Sequence, residues 1–198
     1  SSRGYENFLV SNSTNAQGTG VSNNNSTRSN DGFQTNNSGA TNQSGQPYVS
    51  WNWLANGGTL TTNDASATGV GTIDSQYQVN TDAGFSIVTY TGTGTAGTIA
   101  HGLGKTPALL LTKNISWSHE YSAWLWWHHR RDNAFAASTN YAYLNLSSSG
   151  GTSTTSFYRG DQISSTVFGV YTNDAINDAS YNYVTYAWAE IDGYSKMG

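Results

Sequence analysis

The hexapeptide Tyr48-Val49-Ser50-Trp51-Asn52-Trp53 returns, at an offset of 135 residues, as Tyr183-Val184-Thr185-Tyr186-Ala187-Trp188, and Phe33 returns at the same offset as Phe168. Because successive side chains of a β-strand point to opposite faces, both copies are predicted to be strands. The face that we expect each strand to bury carries Val49, Trp51 and Trp53 in the first copy and Val184, Tyr186 and Trp188 in the second. Duplicated β-modules of this size are more typical of arrays, fibres and surface proteins than of compact enzymes.

The composition is that of a β-protein whose surface is polar but carries little charge. Only 10% of the 198 residues are charged, whereas soluble domains average roughly 25%. Ser, Thr, Asn and Gly supply the polarity instead, as they do in extracellular β-proteins. Seven Trp and thirteen Tyr provide enough apolar surface for a packed core, which argues against a flexible low-complexity chain.

Charge and hydropathy argue against several kinds of partner. The net charge is −4 and the pI is near 5.3. No run of Lys or Arg is longer than two residues, so we expect neither a nucleic-acid partner nor an anionic membrane surface. No apolar stretch is long enough for a membrane-spanning helix, so no membrane insertion is predicted. Cysteine is absent, which removes disulfides and thiolate metal sites.

Short apolar runs separated by Gly-rich and Asn-rich turns recur about every ten residues, a spacing typical of antiparallel sandwiches and barrels. The predicted fold class is all-β, an antiparallel β-sandwich of the jelly-roll or lectin-like kind, with a partial second copy of the unit. Residues 1–58 are predicted to be the C-terminal half of a preceding unit and the start of a linker. The linker itself is assigned to 59–82, which has few large apolar residues, and the complete sandwich to 83–198. The chain begins with Ser rather than Met, and we expect it to be a piece of a longer protein.

Three stretches carry a resemblance to a repeated domain of virion proteins from marine tailed phages. They are AGFSIVTYTGTG at 83–94, TIAHGLGKTP at 98–107 and YVTYAWAEIDGYSKMG at 183–198. The resemblance implies a tail-fibre-like protein at the virion surface, assembled with other virion subunits as a homo-oligomer and facing the host. The chain departs from the family pattern between Trp117 and Arg131, a segment that is longer and more aromatic here. Elaboration of one loop or strand pair on a common scaffold is a way to place specificity.

That aromatic segment contains the strongest candidates for ligand binding. A sugar ring is bound by a flat aromatic side chain together with hydrogen-bonding groups at its edge. On a strand the aromatic positions alternate between two faces, so only one face is open to a ligand. A buried aromatic strand and a subunit interface use the same residue types, and both alternatives stay open. The candidates for glycan binding or an interface are Trp124, Trp126, Trp127, His128, Arg130 and Arg131.

Metal binding and catalysis have weaker support in the sequence. The Asn/Asp-rich loop with Asp174 and Asp178 offers oxygen ligands for Ca²⁺, although these residue types also favour turns. His128 and His129 are adjacent, so on a strand they point apart and cannot chelate one metal together. His101 precedes a Gly-Leu-Gly turn and is interpreted as a turn-packing residue. The sequence lacks recognisable catalytic motifs, and no enzymatic activity and no cofactor other than possible Ca²⁺ are predicted.

The function predicted from the sequence is that of a non-enzymatic virion protein that attaches to a glycan on the host surface. Two alternatives remain open at this point. One is a purely structural module that decorates a capsid or builds a filament. The other is a carbohydrate-binding module of a secreted bacterial protein.

Overall fold

The computed structural model describes residues 7–19, 27–29, 32–35, 39, 41–55, 59–119, 122–130, 140–146, 151–152 and 157–197. These residues form fifteen short strands, one α-helical turn, α1 (Ala65–Thr68), and one 3-10 turn, Gly160–Gln162. The strands are β1 (Asn7–Phe8), β2 (Gly18–Thr19), β3 (Thr27–Ser29), β4 (Gly32–Gln34), β5 (Thr61–Asn63), β6 (Ser75–Asn80), β7 (Phe85–Thr91), β8 (Gly97–Ala100), β9 (Leu109–Asn114), β10 (Leu125–His128), β11 (Asn140–Tyr143), β12 (Gly151–Thr152), β13 (Tyr158–Arg159), β14 (Val167–Val170) and β15 (Asn182–Trp188). Neither helical segment reaches the length and hydropathy that crossing a membrane requires, a finding that covers the described part of the chain.

Two antiparallel sheets pack against each other and confirm the predicted all-β sandwich. The main sheet has eight strands in the order β12-β11-β10-β9-β15-β7-β6-β5, and the second has three in the order β13-β14-β8. Between them lies one apolar cluster. The main sheet contributes residues such as Val88, Leu110 and Trp127, and the second sheet contributes Ile99 and Phe168. Burial of these side chains from both sheets is the main stabilising contribution that the fold offers.

The face of β15 that enters this core is opposite to the one expected from the sequence. Tyr183, Thr185 and Ala187 point toward the second sheet and are fully buried, whereas Tyr186 and Trp188 lie half-buried on the other face. The prediction that the aromatic face is the core face was therefore wrong. The Thr185 hydroxyl is tolerated in the core because it is hydrogen-bonded to Thr112 Oγ1 at 2.7 Å. Thr112 Oγ1 is in turn hydrogen-bonded to the Tyr158 hydroxyl at 2.6 Å. A polar group can be buried at little net cost when its hydrogen bonds are made.

The segment 59–82 is not a linker, because its strands belong to the main sheet. β5 pairs with β6 and β6 pairs with β7 along six residues. Between β5 and β6, Asp64 caps α1 by accepting from the Ala67 N–H, and Gly69 ends it in the left-handed region at φ 68°. These strands are built mostly from Thr, Ser, Asn and Gln, with Tyr77 and Val79 of β6 as their only apolar residues. Their position toward an edge of the sheet, with one polar face, explains why apolar patterning did not reveal them.

The predicted strand at 48–53 is also wrong, since these residues form no strand and are exposed. Other elements of the first copy are nevertheless retained. The hairpin β1–β2 pairs Asn7 with Thr19 and Phe8 with Gly18. The hairpin β11–β12 repeats this register, pairing Asn140 with Thr152 and Tyr141 with Gly151. The first copy thus keeps local elements of the repeat but not the long strand.

Candidate functional site

The face of the main sheet that points away from the core, termed the outer face, is the candidate site. Its register places side chains in rows that run across the strands. One row contains Trp126, Leu111, Tyr186 and Ile87, and the next contains His128, Leu109, Trp188 and Phe85. All except Phe85 are half-buried. The outer face therefore presents an apolar, largely aromatic surface that the sandwich core does not use.

The residues proposed from sequence are divided between the two faces of β10. Trp126 and His128 lie on the outer face, and the side chain of Arg130, which follows in a turn, is 47% exposed. Trp127 points into the core and is 2% exposed, so it cannot contact a ligand in the folded protein. Trp124 is 5% exposed and is likewise covered. Arg131 lies outside the described residues.

Polar groups border the exposed end of this surface. Arg130 Nη2 lies 3.4 Å from Glu190 Oε1, and His129 Nε2 lies 3.5 Å from the same oxygen. The Met197 N–H also donates to Glu190 Oε1, at 3.0 Å. The Arg130 N–H donates to His128 Nδ1 at 3.2 Å. One carboxylate thus connects the end of β10 to the residues after β15, and hydrogen-bonding groups gather at the rim of the aromatic face.

The N-terminal segment 10–17 lies against one end of the outer face. The Trp124 indole N–H donates to the Val10 carbonyl at 2.9 Å, which explains why that ring is covered. The Gln17 N–H donates to the Ile115 carbonyl at 3.0 Å. At the other end of the face, the Trp53 ring packs against Phe85 and Trp188, with centroids 6.1 and 5.8 Å away. Parts of the first copy therefore form a partial third layer on the sandwich.

Lys113, on the outer face of β9, is held beneath that segment. Its Nζ donates to three carbonyl oxygens, those of Thr14 at 3.1 Å, Asn114 at 2.9 Å and Ser122 at 2.7 Å. The side chain is fully buried, and burial lowers its pKa to about 8. The Thr14 contact makes Lys113 a link between the sheet and the N-terminal segment, a role that its position in the sequence did not reveal.

His101 packs as a structural residue, as its place before a turn predicted. Its Nδ1 accepts from the Leu103 N–H at 3.1 Å, and Nε2 lies 3.2 Å from the Ser164 carbonyl, to which it donates. Burial lowers the pKa of His101 to about 4, so the ring is neutral at physiological pH. Both ring nitrogens are used by backbone groups, which leaves His101 no part in the outer face.

The loop with Asp174 and Asp178 is held against the turn between β7 and β8 by the side chain of Asn177. Buried Asn177 accepts from the Thr93 N–H and donates to the carbonyls of Thr95 and Tyr171. Within the described residues, no group of three or more His, Asp or Glu is placed to hold a metal ion. The Ca²⁺ hypothesis for Asp174 and Asp178 stays a prediction, to be tested by the binding experiments below.

Sequence reasoning missed several members of this surface. Tyr186 and Trp188 were assigned to the core, and Glu190 was given no role. Trp53 was placed on a strand of its own rather than on the outer face. The sequence of the second copy contained a signal for which face of β15 becomes the core face. Tyr183, Thr185 and Ala187 combine one large ring with two small side chains, a set that the small second sheet can cover. The large rings of Tyr186 and Trp188 suit a partly exposed face.

The fold and its surface define the class, an all-β antiparallel sandwich with an aromatic outer face. Within that class, the model of one family matches residues 1–198, and the chain belongs to this family, described as a domain of unknown function, DUF7483. A search of the curated proteins found no significant match, and neither did a search of the solved structures.

Proposed function

We propose that this protein is a non-enzymatic attachment module that binds host-surface glycans through its outer face. The observation that carries the proposal is the group at the end of β10, where Trp126 and His128 share a face bordered by Arg130 and Glu190. A sugar ring presents polarised C–H groups on its faces and hydroxyls at its edge. An aromatic ring and charged hydrogen-bonding groups placed side by side meet both requirements.

The geometry of this group suits a ring-shaped ligand. The Trp126 and His128 rings are 6.4 Å apart between centroids and are inclined by 73°, so they form a corner rather than a stack. A sugar lying on Trp126 would meet the imidazole of His128 at its edge. The carboxylate of Glu190, 3.4 Å from Arg130 Nη2, balances the charge of that guanidinium. Recognition of hydroxyls would then proceed without a net charge at the site.

The setting that we propose for this activity is the virion surface. The polar, charge-poor composition supports an exposed location, and the resemblance to a repeated domain of tailed-phage virion proteins supports a tail-fibre-like role. In that role the chain would assemble with copies of itself and with other virion subunits.

A second candidate function, subunit assembly alone, is favoured by the exposed apolar segment 48–54. Val49, Trp51 and Leu54 are 69%, 72% and 68% exposed. Contiguous apolar surface of this kind on a soluble chain marks an interaction site, and tryptophan is enriched among interface hot spots. This segment would pack against a second copy of the chain.

The glycan proposal is tested with a glycan array, followed by titration of the oligosaccharide that binds to wild type and to W126A/R130A. The Trp126 ring is half-buried on the outer face, the Arg130 side chain is 47% exposed, and the salt bridge lost is a surface one, so the variant should stay folded. We expect at least a tenfold loss of affinity. The control is F33A, which removes a ring of β4 that is 44% exposed and should bind as wild type does. Repeating the titration with Ca²⁺ and with a chelator tests the Asp174 and Asp178 hypothesis.

Oligomeric state separates the two candidates. Analytical ultracentrifugation of wild type and V49E/W51E would show whether segment 48–54 holds subunits together. Glycan binding that W126A/R130A leaves unchanged would contradict the outer-face proposal. An oligomer that V49E/W51E converts to monomers, together with no glycan bound on the array, would make assembly the function.

A further inference from the structure

The outer face has a polar half as well as an aromatic one. On β5, β6 and β7 its side chains are Thr62, Gln76 and Thr89, which lie in one cross-strand row. At the end of this row opens a cleft of about 630 Å³. That volume lies within the range of roughly 300–1,000 Å³ found for small-molecule sites. The cleft is lined by Asn7, Gln17, Ile115 and Asn182 on one side and by the row and the turn around α1 on the other.

The turn around α1 supplies two carboxylates to the cleft. Asp74 Oδ1 accepts from the Ala65 N–H at 2.9 Å, and Asp64 Oδ1 accepts from the Ala67 N–H at 3.1 Å and the Ser66 hydroxyl at 2.7 Å. These bonds use only one oxygen of each carboxylate. Both carboxyl groups line the cleft. The hydrogen bonds from Ser66 and Ala67 lower the pKa of Asp64 below its usual range, so it is ionised at neutral pH.

We infer that this cleft is a second saccharide-binding site, selective for a neutral or amino sugar. Carboxylate oxygens accept hydrogen bonds from sugar hydroxyls or ammonium groups, and the amides of Gln76 and Asn182 can both donate and accept. The side chain of Ile115 offers an apolar contact for the C–H groups of the ring. The inference rests on the proposed function for the kind of ligand, but it uses a separate set of residues.

Other ligand classes fit the cleft less well. An anionic sugar or a phosphate would meet two carboxylates and no Lys or Arg among the lining residues. A Ca²⁺ ion takes six to eight oxygens in close array, and two carboxylates whose Oδ1 atoms already cap a helical turn do not provide that array. An apolar ligand would leave the amides and carboxylates without partners.

The two sites lie on the same face of one sheet. From Trp126 on β10 to Gln76 on β6 the path crosses β9, β15 and β7, so the separation is about 19 Å at roughly 4.8 Å per strand. A single polysaccharide chain lying across the outer face would reach both sites. Linking two weak sites through one ligand raises the apparent affinity through effective concentration, without any new contact.

The test is an NMR titration of the ¹⁵N-labelled full chain with glucose, galactose, mannose, glucosamine, N-acetylglucosamine and glucuronate. We expect at least one neutral or amino sugar to shift the backbone amides of Thr62, Gln76 and Thr89, and glucuronate to bind at least tenfold more weakly. D64N/D74N should weaken the binding at these amides at least tenfold. Asparagine caps a helix as well as aspartate does, so the turn should persist.

The control variant is D82N, which removes one negative charge at an exposed position outside the cleft and should leave binding unchanged. T62W fills the cleft from an exposed edge-strand position without touching the caps of α1, and should also abolish the shifts. Sugar shifts confined to Trp126 and His128 would overturn the cleft site while the proposed function stands. No sugar shifts at either place, together with an array that shows no binding, would overturn both.

Discussion

The two copies of the repeated hexapeptide have the same alternation but different structures. Residues 183–188 form the middle of the main sheet, where β15 pairs with β7 along seven residues and with β9 along six. Residues 48–53 form no strand, and Trp51 is 72% exposed. Because the local pattern is shared, the difference comes from the partners that each copy finds. An alternating pattern makes a segment competent to be a strand, and pairing makes it one.

What the copies do share is the turn that precedes the hexapeptide. The Tyr183 hydroxyl donates to the Asp174 carbonyl at 2.8 Å and accepts from the Asp178 N–H at 2.9 Å. The Tyr48 hydroxyl donates to the Gly39 carbonyl at 2.9 Å and accepts from the Gln43 N–H at 3.0 Å. The sequence offsets from the tyrosine, nine and five residues, are identical in both copies.

The backbone of the two turns also matches at one special position. Gly45 has φ 79° and Ser180, at the equivalent position, has φ 69°. Ser180 is the single residue other than glycine with a positive φ in the described part of the chain. The turn is thus reproduced without the sheet, since its hydrogen bonds and backbone angles are local, whereas the ladder of β15 needs strands distant in sequence.

The largest expected contrast comes from proline at equivalent positions of the two copies. In T185P the central strand loses a ladder N–H and the hydroxyl that bonds Thr112, so we expect the free energy of unfolding to fall by more than about 3 kcal/mol. Ser50 belongs to no strand, so S50P should change the free energy of unfolding by less than about 0.5 kcal/mol. Chemical denaturation of both variants measures this difference. Equal losses would mean that residues 48–53 are paired in solution.

The next prediction concerns the pH dependence of stability. All four histidines of the chain lie at or after position 101, outside the first copy of the repeat. Burial lowers the pKa of His101 from 6.5 to about 4. Between these values the unfolded chain binds a proton that the folded protein does not, so stability is present above pH 6.5 and is lost as the pH falls toward 4. At 1.36 kcal/mol per pH unit the loss is about 3 kcal/mol. Urea denaturation from pH 8 to pH 4 should show this slope in wild type and a reduced slope in H101N; matching slopes would contradict the assignment.

A smaller contrast is expected when the two equivalent tyrosines lose their hydroxyls. Y183F leaves the partly buried N–H of Asp178 without its partner and the Asp174 carbonyl with the Asn114 amide as its remaining donor, which costs about 1–3 kcal/mol. Y48F removes the same pair of bonds in an exposed turn, where water replaces them, and should cost about 0.5 kcal/mol or less. Thermal denaturation of the two variants decides the matter. A larger effect from Y48F would show that the turn of the first copy is the one that supports the fold.

The smallest effects are expected at the left-handed position of the turns. S180G relieves the strain of a serine at positive φ and should stabilise the protein by about 0.5–1 kcal/mol. G45A introduces that strain and should destabilise it by about 1 kcal/mol. No atom lies within 4 Å of a Cβ placed at Gly45, so the effect of G45A is one of backbone conformation alone. Opposite signs in thermal denaturation would confirm that the two turns share a geometry, and matching signs would contradict it.

Apolar strands were predictable from the sequence where their residues are β-branched or aromatic, as in β7, β9 and β15. The strands β5 and β6 were not, because polar residues predominate in both and the alternation of Tyr77 and Val79 in β6 is too short to recognise. For the site, the alternation of Trp126 and Trp127 between two faces followed from strand geometry. The pairing of Arg130 with Glu190 did not, since it joins positions separated by 60 residues.

The sequence by itself determined the elements whose bonds are local. It specified the all-β character, the repeat and the left-handed turn closed by Tyr183 and, in the first copy, by Tyr48. Tertiary structure decided which side of β15 became the core, because that depends on what the second sheet can cover. It also decided that residues 183–188 became a strand and 48–53 did not. Strand pairing and burial are supplied by residues far along the chain, so an identical local pattern led to a central strand in one place and an exposed segment in the other.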